Sequence, residues 1–395
     1  MSQRPATVQP RRRVRALASH LCPSPVSQSA VYKHALPKTG AVVAVTGAAG
    51  YIGSWLVVKL LERGHTVRAC VRDTANDKKV GFLKAMVPSS NGRLTLHSAD
   101  MTAKGAYDQI FEGVHTVFHP AEVFMSFGNG RDMKDARKDF GEKVTLKAMH
   151  DNAMQSSAYI VDSINKSSTV KRLVYTASIA SIMPTNMKTW LTDPIVDESK
   201  EPGADRAGEH SYAVTKRSTE HFFAYQASIS GGRWSVITGN PGDIVGPVLS
   251  PHQAHETWQG KIAGIIQGQP SPQEPAGRPW MLVDARDVAE AEVRLAESSE
   301  IQSGERFMLT SGDKIYAEFL GPRIMELFPQ YDCATTVAPG MAGKVGRSEP
   351  FWIRVQMRND KVRKATGLDF CTFDDTLRET VESLVKIGGV KPKMK

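Results

Sequence analysis

Five apolar residues, Ala41 to Val45, run directly into Thr46-Gly47-Ala48-Ala49-Gly50-Tyr51-Ile52-Gly53, and helical periodicity follows as far as Arg63. A short buried strand, a glycine-rich turn and a helix in that order leave few folds open. In such a turn the first glycine permits the tight bend and the second lets the backbone approach a pyrophosphate. The third lets helix and sheet pack closely. The helix N-terminus then offers free N–H groups and a positive dipole end to phosphate. The residues expected to face it are Thr46, Gly47, Gly50, Tyr51, Ile52 and Gly53. Gly64 is placed to end the helix.

The rhythm repeats downstream. Thr66–Val71, Leu94–His97, Thr116–His119, Arg172–Thr176 and Trp234–Thr238 read as strands, and the stretches 143–165 and 212–228 as helices. Alternating strands and helices imply right-handed crossovers and a parallel sheet. The expected fold is α/β, a Rossmann-type doubly wound parallel sheet with a smaller mixed C-terminal substrate lobe. Residues 41–247 would form the dinucleotide-binding domain. Residues 248–395 would form most of the substrate lobe, interleaved with it. Within that second part, Gln267–Pro279 reads as a loop and Phe307–Thr310 as a strand. Asp287–Ala296, Tyr316–Leu327 and Phe373–Lys386 read as helices. There is no internal repeat.

The formal net charge of +9 would suit nucleic acid, but its location does not. Residues 1–40 hold seven basic side chains and no acidic one; the rest carries 43 Lys and Arg against 41 Asp and Glu. The body is nearly neutral, so no nucleic-acid partner is expected. The basic, acid-free, proline-bearing segment 1–40 has the composition of an organellar transit peptide or of a solvated tail. The expected location is cytoplasmic or an organellar matrix, with folding beginning near Ala41. No apolar run approaches the ~20 residues of a membrane span, so no membrane association is expected. Cys22, Cys70, Cys333 and Cys371 are far apart with no Cys-x-x-Cys spacing. Neither a disulfide framework nor a metal site is expected.

Two further features carry chemistry. The second strand ends Val71-Arg72-Asp73, with Lys78 and Lys79 close behind. A guanidinium at Arg72, helped by Lys79, can grip a 2′-phosphate, which favours NADP(H) over NAD(H). The alternative is that Asp73 takes the ribose of NAD. Tyr212-Ala213-Val214-Thr215-Lys216 places a phenol and an ammonium at i and i+4 on one helix face. A free tyrosine, with a pKa of roughly 10, is a poor proton donor or acceptor at neutral pH without a nearby cation. Ser178 follows the fifth strand, with Ser181 as a nearby alternative.

The Gly-x-x-Gly-x-x-Gly turn preceded by Thr46, with Ser178, Tyr212 and Lys216 behind it, resembles the extended branch of the short-chain dehydrogenase/reductase superfamily. Within it the chain looks most like the dihydroflavonol reductase and cinnamoyl-CoA reductase group. The supporting segments are Val45–Trp55, Val67–Asp73, Asp100–Thr102, Val117–His119, Pro241–Pro247 and Val283–Ala289. The resemblance implies that Tyr212 is the general acid/base, that Lys216 lowers its pKa and binds the nicotinamide ribose, and that Ser178 bonds the substrate oxygen. It also implies that Asp100 and Met101 flank the adenine, that His119 and Ala121 line the ribose and phosphates, and that Pro241 and Gly242 meet the nicotinamide.

The chain departs from the group at Ile182-Met183-Pro184, at Glu209-His210-Ser211-Tyr212 and at Pro120-Ala121-Glu122. Neither plant substrate can be carried over. The expected activity is NADPH-dependent reduction of a small ketone or aldehyde. Phe124, Met125, Phe127, Met183, Trp190 and the 248–280 loop are candidates for the substrate wall. The alternatives are an NAD-dependent nucleotide-sugar epimerase or dehydratase, and a non-catalytic dinucleotide-binding or RNA-associated scaffold. A homodimer through the helices at 143–165 and 212–228 is expected by analogy with the superfamily.

Overall fold

The computed structural model describes residues 34–121, 145–184, 192–202, 211–270, 279–335 and 355–395. The strand β1 (Val42–Val45) leads through the glycine turn into α1 (Tyr51–Glu62). Gly64 takes φ +80°, and the N–H groups of Gly64 and His65 return to the carbonyls of Leu61 and Leu60, closing the helix. The chain continues through β2 (Thr66–Val71), α2 (Asp77–Met86), β3 (Leu94–Ser98), β4 (Thr116–His119), α3 (Leu146–Lys166), β5 (Arg172–Thr176) and the short β6 (Ile195–Val196). Then come α4 (Tyr212–Ser228), β7 (Ser235–Pro241), β8 (Asp243–Val245), α5 (Thr257–Ile266), β9 (Trp280–Asp284) and α6 (Ala285–Glu297). The last elements are β10 (Glu305–Leu309), β11 (Lys314–Ile315), α7 (Ala317–Leu327), β12 (Gln356–Met357), α8 (Asp360–Thr366) and α9 (Phe373–Lys386).

Seven strands form one sheet in the order β10-β7-β5-β4-β1-β2-β3, and every adjacent pair is parallel. The expected Rossmann-type doubly wound sheet is therefore present. Alternation sorts its side chains between two cores. Ala44, Val117, Leu173 and Tyr175 pack with α3 and α4 on one face; Val43, Val45, Phe118 and Val174 pack with α1 and α6 on the other. Strand order reverses between β1 and β4, the place where an open sheet leaves a ligand crevice at its carboxyl end. The glycine turn lies on one side of that crevice and His119 to Ala121 on the other.

A smaller mixed sheet, β11-β9-β8, and a two-stranded pair, β12-β6, complete the strands. Trp280 and Leu282 pack there with α5, α7 and α9 in a separate apolar cluster. Sequence periodicity finds α7 and α9 but misses β8, β9, α5 and α8.

Packing begins before Ala41, earlier than expected. Leu36 is buried in the α1/α6 core and its N–H bonds the carbonyl of Ala296 at 2.8 Å. Residues 1–33, which hold most of the basic extension, lie outside the described residues. Among the described residues, no helix is long and apolar enough to cross a membrane and no cluster could hold a metal ion.

Candidate active site

The glycine turn is shaped by contacts that side chains would block. Gly47 has φ +58°, and a Cβ there would lie 3.0 Å from that of Ala121. A Cβ on Gly53 would lie 2.3 Å from the carbonyl oxygen of Gly47. The turn is therefore pressed against the chain leaving β4 on one side and α1 on the other. The start of α1 has no side-chain cap and no acidic residue in its first turn, and Gly50 is exposed. The positive end of the helix is left for an external anion.

The side chains of other expected cofactor residues turn elsewhere. Thr46 Oγ1 and His119 Nδ1 lie 2.7 Å apart, both buried, and His119 stacks on Tyr175. The two brace β1 against β4 and leave only their backbone to face the crevice. Tyr51 donates its hydroxyl to the carbonyl of Gly246 at 2.6 Å, and burial pushes its phenol well above the usual value. Ile52 packs into the core. Tyr51 thereby ties α1 to the chain that leaves β8.

At the end of β2, Arg72, Lys78 and Lys79 are all exposed. Asp73 turns its carboxylate onto the N–H of Ala75 at 2.8 Å. That Asx turn engages one oxygen of the Asp73 carboxylate. Asp100 accepts from the N–H and hydroxyl of Thr102 at 2.9 and 2.8 Å. Burial opposes its ionisation, but Thr102 and the charge of Arg72 hold it below the ordinary carboxylate value. Met101 is half-buried against the α3/α4 core.

Ser178, Tyr212 and Lys216 belong to adjoining elements. Ser178 caps the 3-10 turn Ile179–Ser181 just beyond β5, accepting from the N–H of Ala180 at 3.1 Å. Ser211 caps α4 and so fixes where Tyr212 starts it. Lys216 is buried (3% exposed), donates to the carbonyl of Thr176 at 3.3 Å, and lies 5.8 Å from the centre of the Tyr212 ring. Ser181 is buried, and its hydroxyl serves the carbonyl of Ser178 and the carboxylate of Glu220. Of the two candidate serines, half-buried Ser178 is the one not consumed by the interior. Pro241 ends β7, and Gly242 passes so close to β9 that a Cβ would lie 2.1 Å from the carbonyl of Met281. Phe124, Met125, Phe127 and Trp190 lie outside the described residues; Met183 packs beside Ile179 and Ile182.

Two buried acids escaped the sequence reading. Glu220 lies four residues after Lys216 on the same face of α4, a spacing that could have exposed it. It accepts from Arg217 at 2.9 Å and from Asn240 at 2.6 Å, and pairs with Arg306 at 2.8 Å. Asn240 also reaches the carbonyl of Ser178 at 3.3 Å, and Arg306 that of Ser181 at 2.8 Å. This cluster fastens the serine turn to α4, β7 and β10. Glu292, on α6, lies fully buried on the opposite face of the sheet; its neighbours at three and four residues, Val288, Ala289, Leu295 and Ala296, are all apolar, a spacing that could have exposed it.

The chain is similar in sequence and fold to several known reductases. A cinnamoyl-CoA reductase of Medicago truncatula is 33% identical over 349 residues, 87% of this chain and 96% of that protein. A dihydroflavonol 4-reductase of Callistephus chinensis is 35% identical over 53% of each chain. The Candida albicans Gre2 structure, solved in complex with NADPH, superposes with a TM-score of 0.67 at 23% identity, over 88% of this chain and 99% of that one. The model of the NAD dependent epimerase/dehydratase family matches residues 43–309, and the chain belongs to that family.

Proposed function

We propose that this chain is an NADPH-dependent reductase of a ketone or aldehyde. The observation that carries the reading is the buried Lys216 ammonium beside the Tyr212 ring, next to Ser178, at the carboxyl end of the parallel sheet. The names of the relatives, reductases of carbonyl-bearing molecules, support it.

The cradle fits a dinucleotide. Gly47, Gly50 and Gly53 with the α1 terminus would hold the pyrophosphate, and Thr46, Tyr51 and Ile52 contribute backbone there. Arg72 and Lys79 would hold the 2′-phosphate, Asp100 and Met101 the adenine, and His119 and Ala121 the crevice wall. Lys216 would meet the nicotinamide ribose, and Pro241 and Gly242 the nicotinamide. When bound, NADPH supplies the hydride.

The residues of the chain supply the rest. Ser178 donates a hydrogen bond to the carbonyl oxygen and supports the charge that grows there. Tyr212 hands that oxygen a proton, so that C=O becomes CH–OH. Lys216 holds a positive charge where the phenolate forms, which lowers the cost of giving up the proton.

The test is a pair of titrations. Tyr212→Phe should bind NADPH like the unaltered protein and reduce a panel of ketones and aldehydes about 10²–10⁴-fold more slowly. Failure of the unaltered protein to bind NADPH, or its purification with bound NAD and activity on nucleotide sugars, overturns the reading.

A further inference from the structure

Thr176, the last residue of β5, is held from both faces of the sheet. From the α4 side, Lys216 Nζ donates to its backbone carbonyl at 3.3 Å. From the α6 side, its hydroxyl donates to Glu292 Oε2 at 3.0 Å. Glu292 is 0% exposed, and its second oxygen, Oε1, has no hydrogen-bond partner among the described residues. The carboxyl has room because residue 239, on neighbouring β7, is glycine: a Cβ there would lie 2.7 Å from Oε1. A buried carboxyl with one oxygen unsatisfied is costly to keep for packing alone.

We infer that Glu292 is a positioning residue for the proposed proton transfer, anchoring Thr176 from behind the sheet and setting, by gaining or losing its own proton, the charge that Lys216 meets. The inference rests on the reductase reading for its catalytic consequence, but the coupling itself is a property of the unliganded chain.

The other charges around α6 are engaged elsewhere. Arg63 pairs with Glu290 and Glu297, Arg294 with Glu290, and Arg286 with Asp284 and Glu379. Asp287 accepts from Cys371. Arg172 is turned to the carbonyls of Leu295, Ala296 and Ser298 at the far end of the helix. On α8, Lys361 pairs with Glu305 and Arg363 with Asp369. Among the described residues, Lys216, bonded to the same Thr176 from the other face of the sheet, is the cation that draws the Glu292 carboxyl down. Burial pushes the Glu292 carboxyl up to about 8, against the pull of Thr176 and Lys216.

Below that pH the acid is neutral and the Lys216 charge acts undiminished on Tyr212. Above it, Glu292 has released one proton to solvent, and its negative charge offsets the lysine. A less positive surrounding opposes loss of the proton that the substrate oxygen must receive, and reduction persists to higher pH.

The direct test is infrared spectroscopy of the unliganded protein. A band of a neutral, buried carboxylic acid should be present at neutral pH and absent from Glu292→Gln. It should fade as pH rises and persist to higher pH in Lys216→Met, where the opposing cation is gone. With a reducible carbonyl in hand, the alkaline limb of kcat/KM should fall at a lower pH in Glu292→Gln, by about half a unit or more. Thr176→Val keeps the carbonyl that receives Lys216 but removes the anchoring hydroxyl, and should also prolong the acid band. A band unmoved by Lys216→Met, or no band assignable to Glu292, overturns the inference. So does a Glu292→Gln enzyme slowed equally at every pH. If the band behaves as described but no carbonyl is reduced, the coupling stands and the reductase reading falls.

Discussion

The Cβ position of Gly53 points at the carbonyl oxygen of Gly47, 2.3 Å away, with the Cα of Ala48 at 3.0 Å. Both obstacles are backbone, so neither can swing aside. A methyl group would push α1 away from the turn that precedes it. Gly53→Ala should therefore lose about 1–3 kcal/mol of stability, the usual cost of overpacking. It should also lose more NADPH affinity than a surface substitution of equal stability cost. Thermal unfolding with and without NADPH separates the two effects: the ligand-induced rise in Tm should shrink in the variant.

The corner at the end of β2 makes a prediction about cofactor choice. Arg72 and Lys79 are exposed, while the carboxylate of Asp73 is held on Ala75. Arg72→Ala should weaken NADPH about 10–100-fold, at roughly 1.4 kcal/mol per factor of ten, and leave NADH unchanged. Parallel fluorescence titrations with both dinucleotides read this directly. Equal losses for both would mean that Arg72 shapes the loop and does not meet the 2′-phosphate.

Glu220 bonds or pairs with Arg217, Arg306, Asn240 and Ser181 in one buried cluster. Glu220→Gln leaves two guanidinium groups without their shared counter-charge. Breaking one side of a buried ion pair costs roughly 3–5 kcal/mol. The lower end is expected here, because Arg217 keeps Glu201 and Arg306 keeps the carbonyls of Ser181, Glu198 and Lys200. Urea unfolding measures the loss. Because the cluster also holds the Ser178 turn, kcat should fall further than KM rises in the folded variant.

Much of this molecule is legible in its sequence because local signals and tertiary packing agree. Ser211 caps α4 with its own side chain, so the helix starts at Tyr212 with nothing left to long-range contacts. Strands β2, β4 and β5 are short segments rich in β-branched and aromatic residues, largely buried in the parallel sheet, and their bounds match the expected ones. Helical spacing also separates two neighbouring acids. Glu290 and Glu292 stand two apart in the same Ala-Glu-Ala-Glu run. Glu290 reaches Arg63 and Arg294, whereas Glu292 is buried beneath Gly239. Helix α6 packs into two apolar clusters at once, through Ala289 and Val293 on one side and Val288, Ala291 and Leu295 on the other. Val288, Ala289, Leu295 and Ala296 flank Glu292 at three and four residues, whereas Glu290 has Arg286, Asp287 and Arg294 there, so helical spacing marks Glu292 as the inward acid. Where the sequence is silent, distant chain decides: the pairing of Thr46 with His119 spans 73 residues and has no local signature. Strand β9 is only five residues long and draws its partners from β8 and β11, which have no pattern of their own.

The buried acid also leaves a mark on stability that can be read without any substrate. Burial raises Glu292 from its ordinary value of 4.5 to about 8. The folded state thus keeps a proton that the unfolded chain has already released. A group raised in this way contributes fully below its unfolded pKa, and that contribution is lost as pH rises through its folded one. Glu292→Gln is neutral throughout and can still accept from Thr176. Its stability relative to the unaltered protein should therefore shift in its favour between about pH 5 and pH 9, by about 1–3 kcal/mol. Urea midpoints at both ends of that window make the measurement. A difference that stays constant across it would mean that Glu292 is already ionised at the lower pH, and that the field at Lys216 carries a fixed negative charge.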